Sequence, residues 1–216
     1  MNKKVIALFC GSFNPPLFSH FSLAEQLLNN DNNIEKIVFV PVSHKYNKNG
    51  LISDEHRFNM LNLICKCNPK FEVSNIEFNS SRQPYTFETM QAMQKKFPEY
   101  EIRLIIGTDN LRELETWYEI EKLLAQFKII VFARDEDNIE EIIKNHNLLS
   151  KYSSSFIIAN ISLRTNLSST FVRDEIKNKR SVKYLLPDEI IDYMKENNLY
   201  EWNNLLIKGD FYGKRN

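Results

Sequence analysis

Glycine is scarce in this chain: five among 216 residues, two of them, Gly209 and Gly213, close to the end. The body keeps only Gly11, Gly50 and Gly107. Gly11 and Gly107 close apolar runs that should be strands, and Gly50 sits in the loop after another. Glycine retained only at strand exits points to backbone drawn close to a ligand there. Ordinary turn geometry is the alternative, and it suits Gly50 best. Cysteine is rarer still, with Cys10, Cys65 and Cys67 making an odd set. Cys65 and Cys67 stand two apart in a helical pattern and so face different ways. That argues against a zinc pair and for free thiols in a reducing compartment. Net charge is absent: 28 basic residues balance 28 acidic ones. No global field then draws the chain to nucleic acid or to a membrane surface, and a polyanion would have to be met by local groups. Long apolar runs are missing too. Nothing approaches the ~20 residues of a membrane span, and the start lacks a signal-peptide core, so the chain reads as cytoplasmic.

What is present is alternation. Hydrophobic residues make up 43% of the chain, an ordinary share that excludes wholesale disorder, and the length suits one domain with a full core. Short apolar runs at 4–10, 35–42, 71–75, 102–107, 128–133 and 155–159 predict strands. Amphipathic stretches at 20–29, 54–66, 86–97, 117–125 and 136–149 predict the helices between them. Ser53 and Thr86 read as N-caps ahead of acidic first turns. Such alternation predicts an α/β fold, a Rossmann-like doubly wound parallel sheet with ligands at the carboxyl ends of its strands. After residue 160 the strands stop. Helices near 169–178 and 188–196, the second opened by Pro187, form a small helical C-terminal part. Residues 1–200 are the expected domain, and 201–216, aromatic but aperiodic, read as a tail.

Four clusters carry candidate chemistry. The run Val5–Phe9 empties into Gly11-Ser12-Phe13-Asn14-Pro15-Pro16 and reaches His20 at the start of a helix. A buried strand, a glycine turn and a helix N-terminus with free N–H groups describe a phosphate site. Ser168-Ser169-Thr170 opens a second helix, with Arg173 one turn on and on the same face. Hydroxyls beside a forked cation suit phosphate oxygens; a capped helix with a surface arginine is the alternative. Gly107-Thr108-Asp109 closes a strand, where a carboxylate can accept from ribose hydroxyls, and Trp117 beyond it can stack on a planar ring. Asp109 as a plain helix cap and Trp117 as a core residue remain open. The loop His44–Gly50 is basic, with Lys45 and Lys48 able to meet phosphate or simply to face water.

Taken in order, these motifs resemble the nicotinamide/nicotinate mononucleotide adenylyltransferases of the HxGH nucleotidyltransferase superfamily. Lys48–Ile52 with His56, Arg57 and Met60, Tyr85-Thr86 with Glu88-Thr89, Tyr184–Pro187 and Leu199-Tyr200 extend the resemblance from residue 4 to about 200. It implies transfer of the AMP part of ATP to nicotinate or nicotinamide mononucleotide, releasing pyrophosphate, in NAD biosynthesis. It implies His20 on the ATP phosphates and Ser168, Ser169 and Arg173 at the pyrophosphate end, with His20 and Arg173 catalytic. Gly11, Ser12 and Phe13 would also meet ATP, and Gly107 and Asp109 the adenosine ribose. Asn14, Lys45, Tyr46, Lys48, Tyr85, Thr86 and Trp117 would serve the mononucleotide. Mg²⁺ would arrive with ATP, and no protein-built metal site is implied. Leu17 departs from the pattern: it stands where the superfamily usually has its first histidine, or threonine in eukaryotic-type members, and Ser19 replaces the common glycine. Two other readings remain: a related enzyme with a phosphopantetheine-like acceptor, and a nucleotide-binding protein without catalysis. The choice between nicotinate and nicotinamide, and the oligomeric state, a homo-oligomer included, stay open.

Overall fold

An apolar run without alternation is what a strand needs when both of its faces are covered. Val5, Ile6, Ala7 and Leu8 are each 1% exposed or less, and they form β1 (Val5–Gly11). The computed structural model describes residues 3–134, 136–161 and 167–205. Within them β1 pairs in parallel with β2 (Ile34–Pro41) on one side and β4 (Glu101–Gly107) on the other. Outward of these lie β3 (Phe71–Val73), β5 (Lys128–Phe132) and β6 (Phe156–Ile158). The strand order is β3-β2-β1-β4-β5-β6, all pairs parallel. This is the doubly wound arrangement predicted from the alternation. Its winding reverses between β1 and β4, where a crevice opens at the carboxyl edge.

Side chains alternate through the sheet into two cores. Val5, Ala7, Phe9, Ile37, Phe39 and Ile105 face one layer, formed by α1 (Phe18–Asn30), α2 (Asp54–Cys65), α8 (Ser169–Lys177) and α9 (Asp188–Glu196). Ile6, Leu8, Val38, Val40, Leu104 and Ile106 face the other. That layer holds α3 (Thr86–Lys96), α4 (Thr108–Glu113), α5 (Ile120–Gln126), α6 (Ile139–Asn145) and α7 (Asn147–Lys151). The C-terminal helices thus share the main core. The chain runs on from α9 into a 3-10 segment, Leu199–Leu205, whose Trp202 is 3% exposed and packs with Ile190, Ile191 and Met194. The remainder of the expected tail, with Phe211 and Tyr212, lies outside the described residues.

Three local expectations need correcting. Thr86 is the first helical residue rather than the cap; Tyr85 precedes it in extended conformation and donates its N–H to the Glu88 carboxylate at 2.8 Å. The stretch 136–149 is broken at His146, whose extended backbone separates α6 from α7. The helix expected at 117 starts at Ile120 because Glu119 stands in the left-handed region. Ser53 does cap α2, accepting from the His56 N–H at 3.3 Å. Cys10, Cys65 and Cys67 are all free thiols. Among the described residues no helix is long and apolar enough to cross a membrane.

Candidate active site

The crevice between β1 and β4 widens into an open cavity of about 980 Å³. Its floor is the phosphate-type loop after β1. Phe13 turns inward with φ 45° and is 2% exposed, its ring edge-on to Phe9, Phe39 and His20. Gly11 makes room for that ring: a Cβ there would stand 3.3 Å from Phe13 Cζ. Gly50 has a different reason. Nothing lies near its missing side chain, but its φ of +71° belongs to glycine. Its carbonyl accepts the Asn14 side-chain N–H at 2.8 Å.

Asn14 is fully buried and does not line the cavity. Its Oδ1 accepts from the Tyr200 hydroxyl at 2.7 Å and lies 3.4 Å from the Ile52 N–H. Its carbonyl accepts from Arg173 Nη1 at 2.8 Å. One side chain and one peptide oxygen therefore join the loop after β1 to the 50–52 loop, α8 and the 3-10 segment. Arg173 also stands behind the cavity wall, its other arm on Thr170 Oγ1 at 3.2 Å. A second hub is Arg57, with no exposed surface. It donates to the carbonyls of Ser12, Val42 and Ile52 at 3.1, 2.5 and 3.1 Å and to Asp54 at 2.5 Å. All three nitrogens of this guanidinium donate, to three loop carbonyls and to the Asp54 carboxylate, so its charge is satisfied inside the protein.

His20 lines the cavity from the first turn of α1. Its Nδ1 accepts the Leu17 N–H at 2.9 Å, which leaves the ring proton on Nε2. Burial, with the Arg134 cation nearby, lowers its pKa to about 4. At neutral pH it is an uncharged hydrogen-bond donor. Leu17 is fully buried in the core below and does not reach the cavity. Lys48 Nζ donates to Ser12 Oγ at 3.0 Å, and burial followed by the Arg173 and Arg57 charges lowers its pKa. Such a lysine is held where a counter-anion would relieve it. Lys45 reaches across to the Ser80 carbonyl. Ser168 caps α8 by accepting from the Phe171 N–H at 3.1 Å, and the Ser169 hydroxyl donates to the Pro15 carbonyl at 2.8 Å. Both serines line the cavity.

The opposite wall is aromatic. Tyr46, Tyr85 and Tyr118 are each about half exposed, Trp117 is half-buried against the second core, and all four line the cavity with Thr86. Tyr85 and Tyr118 stack at 4.4 Å, and Arg82 lies 4.8 Å above Tyr85 while gripping Glu88. Beneath them Glu77, 3% exposed, accepts from Thr89 and Gln83 at 2.6 Å each. Burial raises its pKa. Gln83 in turn accepts the Ser43 N–H at 2.9 Å, tying this wall to the exit of β2. Gly107 and Asp109 stand at the exit of β4, with Asp109 in the first turn of α4. Of the residues given a catalytic or ligand-binding role from the sequence, all but Asn14 and Arg173 line this cavity; Gly50 and Leu17 stand outside it. Arg134, Glu77, Gln83, Arg82 and Tyr118 were not foreseen. Arg134 alone had a signal, as a cation just past the end of a strand.

Residues 8–175 match the Cytidylyltransferase-like family. A probable nicotinate-nucleotide adenylyltransferase of Carboxydothermus hydrogenoformans is 35% identical over 199 residues, covering 90% of this chain and 97% of its own. The nicotinate-nucleotide adenylyltransferase of Bacillus subtilis is 30% identical, covering 92% of this chain and 99% of its own. In fold the chain is similar to the nicotinic acid mononucleotide adenylyltransferase of Plasmodium falciparum solved with NaAD. The TM-score is 0.78 at 24% identity, over 93% of this chain and 99% of that one. With its strand order, its crevice and these relatives, the chain belongs to the nicotinate-nucleotide adenylyltransferase family, a group of nucleotidyltransferases within the cytidylyltransferase-like fold.

Proposed function

We propose that this protein transfers the AMP part of ATP to nicotinate mononucleotide, giving the deamido dinucleotide and pyrophosphate in NAD biosynthesis. The observation that carries this is one cavity with two chemically different walls. A donor-rich side of loop backbone, His20, Lys48, Ser168 and Ser169 faces an aromatic side of Tyr46, Tyr85, Trp117 and Tyr118. Phosphates suit the first and a pyridine ring the second. The acceptor is taken as nicotinate because the relatives carry that name.

In the reaction a 5′-phosphate oxygen of the mononucleotide bonds to the α-phosphorus of ATP. The bond from that phosphorus to the bridging oxygen breaks, and its electron pair leaves on pyrophosphate. The nucleophile is mostly ionised near neutrality, with a second pKa of about 6, so no general base is needed. The protein's work is alignment and charge stabilisation. Asp109 accepts from the adenosine ribose, with Gly107 beside it. His20 donates from Nε2 to a phosphate oxygen, and Lys48 neutralises charge next to the loop of Gly11, Ser12 and Phe13. Ser168 and Ser169 present the N-terminus of α8 to the pyrophosphate end. Arg173, through Asn14, sets the loop these phosphates rest on. Lys45, Tyr46, Tyr85, Thr86 and Trp117 hold the mononucleotide. Mg²⁺ enters on the ATP phosphates; among the described residues no cluster of His, Cys, Asp or Glu is arranged to hold an ion. The free thiols suit a reducing cytoplasm.

A pyrophosphate-release assay with ATP and nicotinate mononucleotide, nicotinamide mononucleotide or phosphopantetheine in turn tests the reading. Turnover highest with the nicotinate compound is expected. Turnover only with phosphopantetheine, or ATP binding without turnover, would overturn it.

A further inference from the structure

Among the described residues five basic side chains line the cavity: His20, Lys45, Lys48, Arg82 and Arg134. Four already have a hydrogen-bonding role there. His20 is held by Leu17, Lys45 by Ser80, Lys48 by Ser12, and Arg82 is bidentate on Glu88. Arg134 differs. It follows β5 and so stands at the carboxyl edge of the sheet, beside the exit of β4. Its backbone N–H is fixed on Thr108 Oγ1 at 3.0 Å. Asp109 Oδ1 lies 3.1 Å from its Nε, near enough for an ion pair. Yet that buried Nε makes no directed hydrogen bond, because the carboxylate sits off the N–H axis. The charge is balanced while the donors of the fork are unspent among the described residues.

Gly107 is what admits this pair. A Cβ there would come within 2.5 Å of Asp109 Oδ1 and 3.1 Å of Arg134 Nε. The pair also has a particular place. Arg134 lines the cavity together with Asp109, which it pairs, and His20, which feels its charge. Between a ribose-binding carboxylate and a phosphate-binding imidazole lies the position of the α-phosphate. The residue aligned with the superfamily's first histidine offers nothing there, since Leu17 is buried in the core. We propose that Arg134 is a further catalytic residue of this enzyme, a forked cation that engages the α-phosphate of ATP and stands in for the donor that Leu17 lacks.

The inference rests on the adenylyl-transfer reading above. Charge grows on the phosphate oxygens as the dinucleotide bond forms, and a planar guanidinium meets two such oxygens at once. Ribose hydroxyls donating to Asp109 weaken its pull on the Arg134 charge, leaving the unspent donors of the fork to the phosphate. Loss of one such preorganised donor lowers kcat by roughly 10²–10³.

The test uses the full chain and the variants Arg134→Gln and Arg134→Met, each checked for folding by thermal unfolding, so that one folded variant suffices. Steady-state pyrophosphate release and calorimetric titration with ATP are measured side by side. The expected result is a kcat at least thirtyfold lower, a Kd for ATP at least threefold higher, and a KM for the mononucleotide within twofold of wild type. Arg134→Lys, with charge but no fork, should fall between. A folded variant keeping more than a third of wild-type kcat, with Kd for ATP unchanged, would overturn the inference and leave the function standing. An inactive wild type would overturn the function instead, and the ATP titration would still decide whether Arg134 meets the phosphates.

Discussion

At the scale of single residues, His20 is the most informative. Its folded pKa of about 4 lies below the ~6.5 of a free imidazole. The folded state therefore binds fewer protons between those values. Its contribution to stability is whole above about 6.5 and is lost as pH falls toward 4. Unfolding midpoints measured from pH 7 to 4 should fall less steeply in His20→Gln than in wild type; equal slopes would refute a neutral His20. His20→Ala should lower kcat by roughly 10²–10³, and kcat in wild type should show no histidine inflection between pH 6 and 8. Leu17 gives a second prediction. Buried in the core, it cannot be replaced by histidine without leaving a polar ring unpaired, at a cost of about 1–3 kcal/mol. Leu17→His should unfold earlier and gain no activity; a kcat threefold above wild type would show the site wants that donor. Trp117→Ala should raise KM for the mononucleotide and spare KM for ATP. A ring stack acts on ground and transition states alike and is worth about 1–3 kcal/mol; equal changes in both KM values would return Trp117 to the core. Residue types at strand exits made His20, Gly107, Asp109 and Trp117 legible in the sequence. Asn14 and Arg57 were not legible as hubs, because their partners lie 36–186 and 3–45 positions away.

At the scale of elements, strands were easy to read and helix ends were not. The inner strands β1, β2, β4 and β5 are buried on both faces along most of their length, so their apolar runs are nearly continuous. The short helix α4 escaped detection because six residues span less than two turns and show no period. Its first turn holds the same Asp109 that a ligand reading had already claimed. The break at His146 and the late start of α5 come from single residues outside helical geometry, which no periodicity reports. The 3-10 segment shows the same limit. Its aromatic residues looked aperiodic, yet Trp202 is packed among Ile190, Ile191 and Met194. Trp202→Ala should lower stability by about 3–5 kcal/mol, read by urea unfolding. A loss under 1 kcal/mol would mean the segment is only loosely docked.

At the scale of the whole molecule, two cores cover opposite faces of one sheet, and the cavity opens at the carboxyl ends of β1 and β4. Binding there couples to global stability. ATP at a hundred times its Kd should add about 2.7 kcal/mol and raise Tm by about 5–10 °C in a domain of this size, measured by calorimetry. No shift would mean ATP does not bind the folded state. The Asn14 hub has a consequence in time. The loop it governs is made well before its latches, Arg173 and Tyr200, which follow Asn14 by 159 and 186 residues. Tyr200 follows the end of β6 at Ile158 by 42 residues, so at about 5–20 residues per second a nascent chain carries β1 to β6 for roughly 2–8 s before the last latch of this loop is made. The latches follow β6 in the chain, so a chain halted between Ile158 and Arg173 should hold β1 to β6 and lack both latches of this loop.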